Sequence, residues 1–185
     1  YFAFSGQDSL ASTTLSDVKK VCDSKGVSKT GRVTLTASNR AECFVKVKEL
    51  LCYLPDNCQS DILETETSDD FNRSINADKF DTFAEYDVKD LISQIADGGS
   101  YIELFPDYAR SVSTCFAKIG NKSVCIIANQ PSENNGVLDT NACSKISSVL
   151  AFCDKFNMPV VTLTNTCGFA VSVDEENNGL SSAAA

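Results

Sequence analysis

Gly120-Asn121 separates two runs, residues 112–119 and 122–128, with strand-type composition, and this arrangement limits the fold more than any other feature of the chain. Both turn residues readily take positive φ, as a two-residue hairpin turn requires, so the runs are expected to pair antiparallel. Elements of both kinds surround this hairpin. Asp87 is placed to cap a helix over Val88–Ile95, with Gly98-Gly99 closing it, and Tyr101–Leu104 reads as a short strand. A loop from Asn129 to Gly136 leads to a helix of about sixteen residues with Cys143, Ile146, Val149, Leu150 and Cys153 on its apolar face. Val160–Leu163 is expected as a buried strand running into Asn165-Thr166-Cys167-Gly168-Phe169, with a further helix starting near Glu175. Strands alternating with helices imply an α/β fold with parallel neighbours.

The first third of the chain is less regular. Leu15, Val18, Val21 and Cys22 have helical spacing, with Gly26 as a stop, and Val33-Thr34-Leu35-Thr36 reads as a short strand. Asn39 and Glu42 suit a capping box, followed by Phe44, Val47, Lys48 and Leu51 on one helical face up to Tyr53 and the breaker Pro55. From Asp56 to Asp70 acidic residues crowd a stretch with little apolar periodicity, expected to be a solvated linker or arm. Tyr1 in place of Met, and the terminal Ala183-Ala184-Ala185, read as cut ends of a longer polypeptide.

Composition excludes several chemistries. The 185 residues carry a formal charge of −9 and no histidine. The charge argues against a nucleic-acid partner, which selects basic faces. Without histidine there is no Ser-His-Asp triad, no Cys-His pair and no histidine metal ligand, so catalysis would rest on backbone amides, carboxylates or lysines. The nine cysteines form no C-x-x-C pair and sit among apolar neighbours, so most are expected as free core thiols. Cys167 has no base near it in sequence to make it a nucleophile. No run approaches the roughly 18 apolar residues of a membrane span, and no secretory signal opens the chain, so the expectation is a cytoplasmic protein. Gly168, at the end of a strand and ahead of a helix, could offer N–H groups to an anion or simply make a tight turn.

Seven segments in order carry a family resemblance. They are Leu50-Leu51-Cys52-Tyr53-Leu54-Pro55-Asp56-Asn57, Tyr86-Asp87-Val88-Lys89-Asp90-Leu91-Ile92, Phe105-Pro106-Asp107-Tyr108-Ala109-Arg110 and Phe116-Ala117-Lys118-Ile119-Gly120. Ile127-Ala128-Asn129-Gln130-Pro131 and Gly136-Val137-Leu138-Asp139 follow. The last, Phe152 to Pro159, leads into Thr162-Leu163 and Gly168-Phe169. With matching gaps over about residues 28–180, they resemble the carboxyltransferase component of biotin-dependent acyl-CoA carboxylases and decarboxylases.

The resemblance implies a crotonase (ClpP)-like α/β carboxyltransferase fold of two halves, incomplete here. Residues 1–54 would end the N-terminal half, 55–85 would be the arm, and 86–185 would begin the C-terminal, biotin-side half. It implies carboxyl transfer between carboxybiotin and a short acyl-CoA through oxyanion-stabilised enolates, with biotin on a separate carrier domain and no bound metal. Implied partners are a biotin carboxyl carrier protein, biotin carboxylase or membrane decarboxylase subunits, and further copies in a hexamer. Gly168 and Phe169 match a glycine-phenylalanine turn whose N–H groups would form an oxyanion site. Asn129, Gln130 and Pro131 match the pocket loop, Gly136 its tight return, and Asp174 and Glu176 acidic positions after the turn. Lys145 also matches, although a helical lysine ordinarily faces solvent, and Tyr53 and Pro55 are junction residues. The chain departs at Asn165 and Cys167, where many relatives have aspartate and proline, and at Ala170-Val171-Ser172, where they have a glycine-containing turn. A fragment lacking the partner half is expected to be inactive alone. The alternative is a noncatalytic crotonase-like assembly subunit, while the Tyr53-Leu54-Pro55 junction disfavours a crotonase-type hydratase or isomerase.

Overall fold

The computed structural model describes residues 7–13, 22–62, 64, 66, 69–70, 72–80 and 85–185. Its centre is a four-stranded sheet in the order β1 (Tyr101–Leu104), β2 (Val112–Ile119), β3 (Lys122–Asn129), β4 (Val160–Leu163). β1, β2 and β3 are antiparallel neighbours, and parallel pairing is confined to β3 and β4. The hairpin forms as its turn residues require, with φ of 60° at Gly120 and 73° at Asn121. Asp97 fixes that turn, its carboxylate accepting from Gly120 N at 3.1 Å and Asn121 N at 2.8 Å.

The period-two geometry of a strand sends alternate side chains to opposite faces, and each face is covered by one helix. Val124, Ile126 and Ala128 of β3, with Cys115 and Ala117 of β2, pack against Val88, Ile92 and Ala96. The helix Val88–Ile95 (called α4 below) bears that face, capped by Asp87, whose side chain accepts from Lys89 N. On the other face Cys125, Ile127, Phe116 and Val112 meet Ala142, Val149 and Cys153 of the sixteen-residue helix Thr140–Lys155 (α5). Complete burial of a side chain such as Ile92 contributes about 1.5–3 kcal/mol, so these two layers dominate the stability of the body.

The N-terminal third differs from its expected form. Most of the helix expected over 15–25 lies outside the described residues, and the elements seen are α1 (Gln7–Thr13) and α2 (Ser24–Ser28). Gly26 does not stop a helix: it lies in the first turn of α2, where its N–H donates to Asp23 at 2.7 Å. Residues 33–36 form no strand among the described residues. They have no ladder partner; Phe105 N donates to Thr34 O at 2.8 Å, Lys46 Nζ donates to Thr36 O at 2.7 Å, and Leu35 packs against the core. α3 (Arg40–Leu51) starts at Asn39, whose side chain accepts from Glu42 N at 2.9 Å. The Glu42 carboxylate closes the box one residue earlier than the usual pattern, accepting from Ser38 N at 2.8 Å. The apolar face of this helix is not core, since Phe44, Val47 and Leu51 are exposed. β4 is also not a buried strand: it lies at the sheet edge and is half-exposed.

The acidic stretch does not run free of the body. Arg73 donates to the carbonyls of Gln94 at 3.1 Å, Ile95 at 2.8 Å and Ala96 at 2.7 Å, closing the C-terminal end of α4. A cation there meets the orphan carbonyls and the negative pole of the helix. All nine cysteines are free, and five are buried. Burial pushes the Cys115 thiol up to about 12, so it behaves as a small apolar core group. Among the described residues no helix is long and apolar enough to cross a membrane.

Candidate functional site

The loops leaving β3 and β4 meet at the same end of the sheet. Asn129, nearly buried at the end of β3, donates from Nδ2 to Gly136 O at 3.0 Å and so ties its own loop shut. Gly136 has φ +64°, and a Cβ there would stand 2.6 Å from Asn165 O and 3.1 Å from Asn129 Cβ. Glycine is therefore required twice, for the backbone angle and for the close approach of the second loop. That loop pairs with the first as a short parallel bridge. Leu138 N donates to Gly168 O at 3.0 Å and Ala170 N to Leu138 O at 2.9 Å, with Leu138 opposite Phe169.

This bridge decides which N–H groups are available. Gly168 N–H is taken by the Thr166 hydroxyl at 3.0 Å, an arrangement internal to the turn. Phe169 N–H has no partner among the described residues. A residue whose two neighbours bond to Leu138 directs its own N–H to the other side of the segment. Phe169 and Val171 are 54% and 99% exposed, and an added Cβ on Gly168, at φ +109°, would meet nothing within 4 Å. The turn thus offers one unpaired donor on an open, largely apolar edge. One donor aimed at a developing oxyanion lowers a barrier by about 3 kcal/mol when it is rigidly held.

Gln130 is brought to this end of the sheet, where it borders a small polar cavity with Asp87, Lys89, Glu103 and Arg110. It is buried, its Oε1 accepts from Val88 N at 2.9 Å, and its Nε2 donates to Asp87 at 2.7 Å, joining the loop to the start of α4. Pro131 beside it is buried too. Asp174 and Glu176 point to solvent on α6 (Val173–Asn177). Glu175, between them, makes the contact: it accepts from Thr140 N at 2.8 Å and Thr140 Oγ1 at 2.7 Å, bonds that hold its carboxyl below the usual range. With Asp139 accepting from Ala142 N at 2.7 Å, two of the first donors of α5, Thr140 N and Ala142 N, are satisfied from within the chain. Ser172 accepts from Glu175 N at 3.1 Å, a spacing that could have pointed to Glu175 as a helix-start residue, but nothing local points to Thr140.

Lys145 is the clearest reversal of expectation, because it does not face solvent. It is 2% exposed, and Nζ donates to Phe105 O at 3.1 Å, Tyr108 O at 2.8 Å and Val112 O at 2.7 Å. Those carbonyls belong to the loop between β1 and β2 and to the first residue of β2, and the loop passes beside the site: Ser111 O accepts from Gln130 N at 2.8 Å, and Arg110 pairs with Glu133. Burial pushes the Lys145 pKa down to about 8, while the carbonyls it faces favour the ammonium form. Cys167 is an exposed thiol, and its N–H donates to Asn135 O at 3.4 Å. Among the described residues no group of three or more cysteines and carboxylates is placed to hold a metal.

Known proteins match this arrangement. The sequence fits the family description "Carboxyl transferase domain" over residues 9–185. It is 38% identical over 154 residues to the methylmalonyl-CoA decarboxylase subunit alpha of Veillonella parvula, covering 81% of this chain and 30% of that protein. It is 34% identical over 153 residues to the methylmalonyl-CoA carboxyltransferase 12S subunit of Propionibacterium freudenreichii subsp. shermanii, covering 81% of this chain and 29% of the relative. The chain therefore spans less than a third of the length of these relatives. A transcarboxylase 12S crystal structure, described as a hexamer assembly with methylmalonyl-coenzyme A bound, superposes with a TM-score of 0.92 at 30% identity over 98% of this chain and 36% of its own. A single-chain, multi-domain long-chain acyl-CoA carboxylase superposes at 0.80 with 25% identity, over 98% of this chain and 18% of its own.

Proposed function

This chain belongs to the carboxyl transferase domain family, and on that premise we propose that it is part of an enzyme moving a carboxyl group between carboxybiotin and a short acyl-CoA. The observation that carries the proposal is the Phe169 N–H, unpaired on an open edge and fixed by the bridge to Leu138. When a carboxyl group leaves the biotin ureido nitrogen, the electrons of the broken bond are left as negative charge on the ureido oxygen, and carboxylation of biotin passes through the same anion in reverse. A preoriented backbone donor stabilises that charge without a side-chain base, as a chain without histidine requires. Biotin, delivered on a carrier protein or domain, enters as a substrate. The open space at Gly168 and the exposed Phe169 and Val171 suit the approach of a flat, weakly polar ring.

Within this reading residues 1–54 complete an acyl-CoA-binding half, 55–85 form the arm, and 86–185 begin the biotin-side half. Gly168 N–H serves the turn through Thr166, which leaves Phe169 as the donor this segment contributes. Asn129, Gln130, Pro131 and Gly136 hold the loop behind it, and Asp174 and Glu176 stand at its rim. The enzyme would act in the cytoplasm as a homo-oligomer, a hexamer by analogy, with biotin carboxylase or membrane decarboxylase subunits supplying the remaining steps.

The test is carboxyl loss from malonyl-, methylmalonyl- and glutaconyl-CoA by the full-length protein, with free biotin as acceptor. Biotin-dependent turnover of one member establishes the reading and names the acyl class. No turnover from a folded, assembled protein would sink it and leave a noncatalytic assembly role.

A further inference from the structure

The turn bearing Phe169 is held from three directions, and two are backbone contacts, with Leu138 and Asn135. The third comes from a side chain outside both loops. Asn165 Nδ2 donates to the Tyr86 hydroxyl at 3.3 Å. Tyr86 immediately precedes Asp87, which caps α4 and accepts from Gln130, so its backbone is anchored to the same end of the sheet. Its ring packs against the cluster beneath α4 and meets Phe80 edge-on, with centroids 5.4 Å apart at 70°. The phenol is therefore not free to swing away. On its other side Asn165 is stopped by the main chain, since its carbonyl lies against Gly136.

We infer that Tyr86, acting through Asn165, is a positioning residue that sets the 165–169 turn so that Phe169 N–H faces the open edge. The inference rests on the carboxyltransferase reading of that edge. Tyr86 does not touch substrate in this account, and its effect passes through the turn. The polarity of the bond makes the idea specific. Here the amide donates and the phenol oxygen accepts, whereas an aspartate at 165 would accept the phenol proton and keep the strut. Phenylalanine at 86 removes the strut in either background while preserving the ring packing.

The experiment uses the full-length protein. Tyr86→Phe is expected to lower kcat about five- to tenfold with the acyl-CoA KM unchanged, the loss of one neutral hydrogen bond at the transition state. Asn165→Leu should match it, and the double variant should lose no more than either single one, because the two residues act as one unit. Asn165→Asp should stay within about threefold of the parent, since a charge-assisted bond replaces the neutral one. Additive losses, or an unchanged kcat in Tyr86→Phe, would overturn the inference. Amide exchange followed by mass spectrometry on the same proteins separates the strut from the chemistry. Tyr86→Phe should speed exchange across 164–170 and leave 140–155 unaltered. If the parent protein transfers no carboxyl group, the functional reading falls, and exchange alone decides whether Tyr86 holds the turn. Unchanged exchange at 164–170 removes the strut whatever the activity.

Discussion

α5 buries Ala142, Val149 and Cys153 against the sheet, whereas α3 leaves Phe44, Val47 and Leu51 at 62%, 46% and 58% exposure. No residue of α3 is buried. Its hold on the body comes from its end, where Tyr53 is buried in the core beside Leu50 and Leu54. Even there an apolar cavity of about 230 Å³ remains, lined by Leu50, Leu54, Leu104, Phe105, Val149 and Phe152. The two helices stand for different reasons. α5 is held by tertiary burial and by Lys145, while α3 is held by its own cap and by the Glu42–Lys46 pair one turn apart.

The largest effect expected from breaking this contrast is at Lys145. Lys145→Met keeps the volume and the apolar stem but leaves the carbonyls of Tyr108 and Val112 without the ammonium donor, while Phe105 O keeps the Tyr108 N–H at 3.1 Å. Buried carbonyls left unpaired cost about 1–3 kcal/mol each where water cannot replace the donor, so a total loss of about 4 kcal/mol is expected in urea denaturation. A loss below about 1 kcal/mol would mean that water fills the cage and that α5 owes its place to apolar packing alone.

Next in size is a matched pair of core-type substitutions. Val149→Ala on α5 should cost about 2 kcal/mol, through lost transfer energy and the cavity left behind. Phe44→Ser on α3 should change stability by less than about 0.5 kcal/mol, because the ring already stands in water. Both values come from the same denaturation series. If Phe44→Ser proves as costly as Val149→Ala, something covers that face in solution, and the contrast between the helices disappears.

Much of this architecture was legible because it is local. Gly120-Asn121 demands positive φ at adjacent positions, Asp87 and Asn39 cap the helices that follow them, and the span of α5 follows from its periodicity. What was not legible depends on partners distant in sequence. Periodicity said that Phe44, Val47 and Leu51 share a face, but not that the face lacks cover. Nothing near Lys145 announces distant carbonyls waiting for a donor, and nothing near Arg73 announces the end of α4. The site shows the same division. Gly136 could be read as a turn glycine, yet its tight contact is with Asn165, almost thirty positions away. Gln130 was recognised as part of the loop, but its work is to cap α4. Glu175, not its acidic neighbours Asp174 and Glu176, ties α6 to α5, and the Thr166 hydroxyl takes one of the two N–H groups expected for substrate.

The smallest expected effect is a titration that isolates the local half of the contrast. The Ser38 hydroxyl, then Lys46 and the Ser38 N–H, hold the Glu42 carboxyl at a pKa of about 2. A carboxylate whose folded-state pKa lies below its unfolded value adds stability above the unfolded pKa and loses it as pH falls through the folded one. The capping contribution should therefore be intact above pH 4.5 and fade between 4.5 and about 2. Carbon-13 NMR of the Glu42 carboxyl should show that titration. The amides of residues 40–44 should lose exchange protection over the same window in the parent, and Glu42→Gln should show no such change. A midpoint near the ordinary glutamate value would mean that the box is not formed in solution. α3 would then depend on Tyr53 and Leu54 at its far end, and would resemble α5 in being held by packing after all.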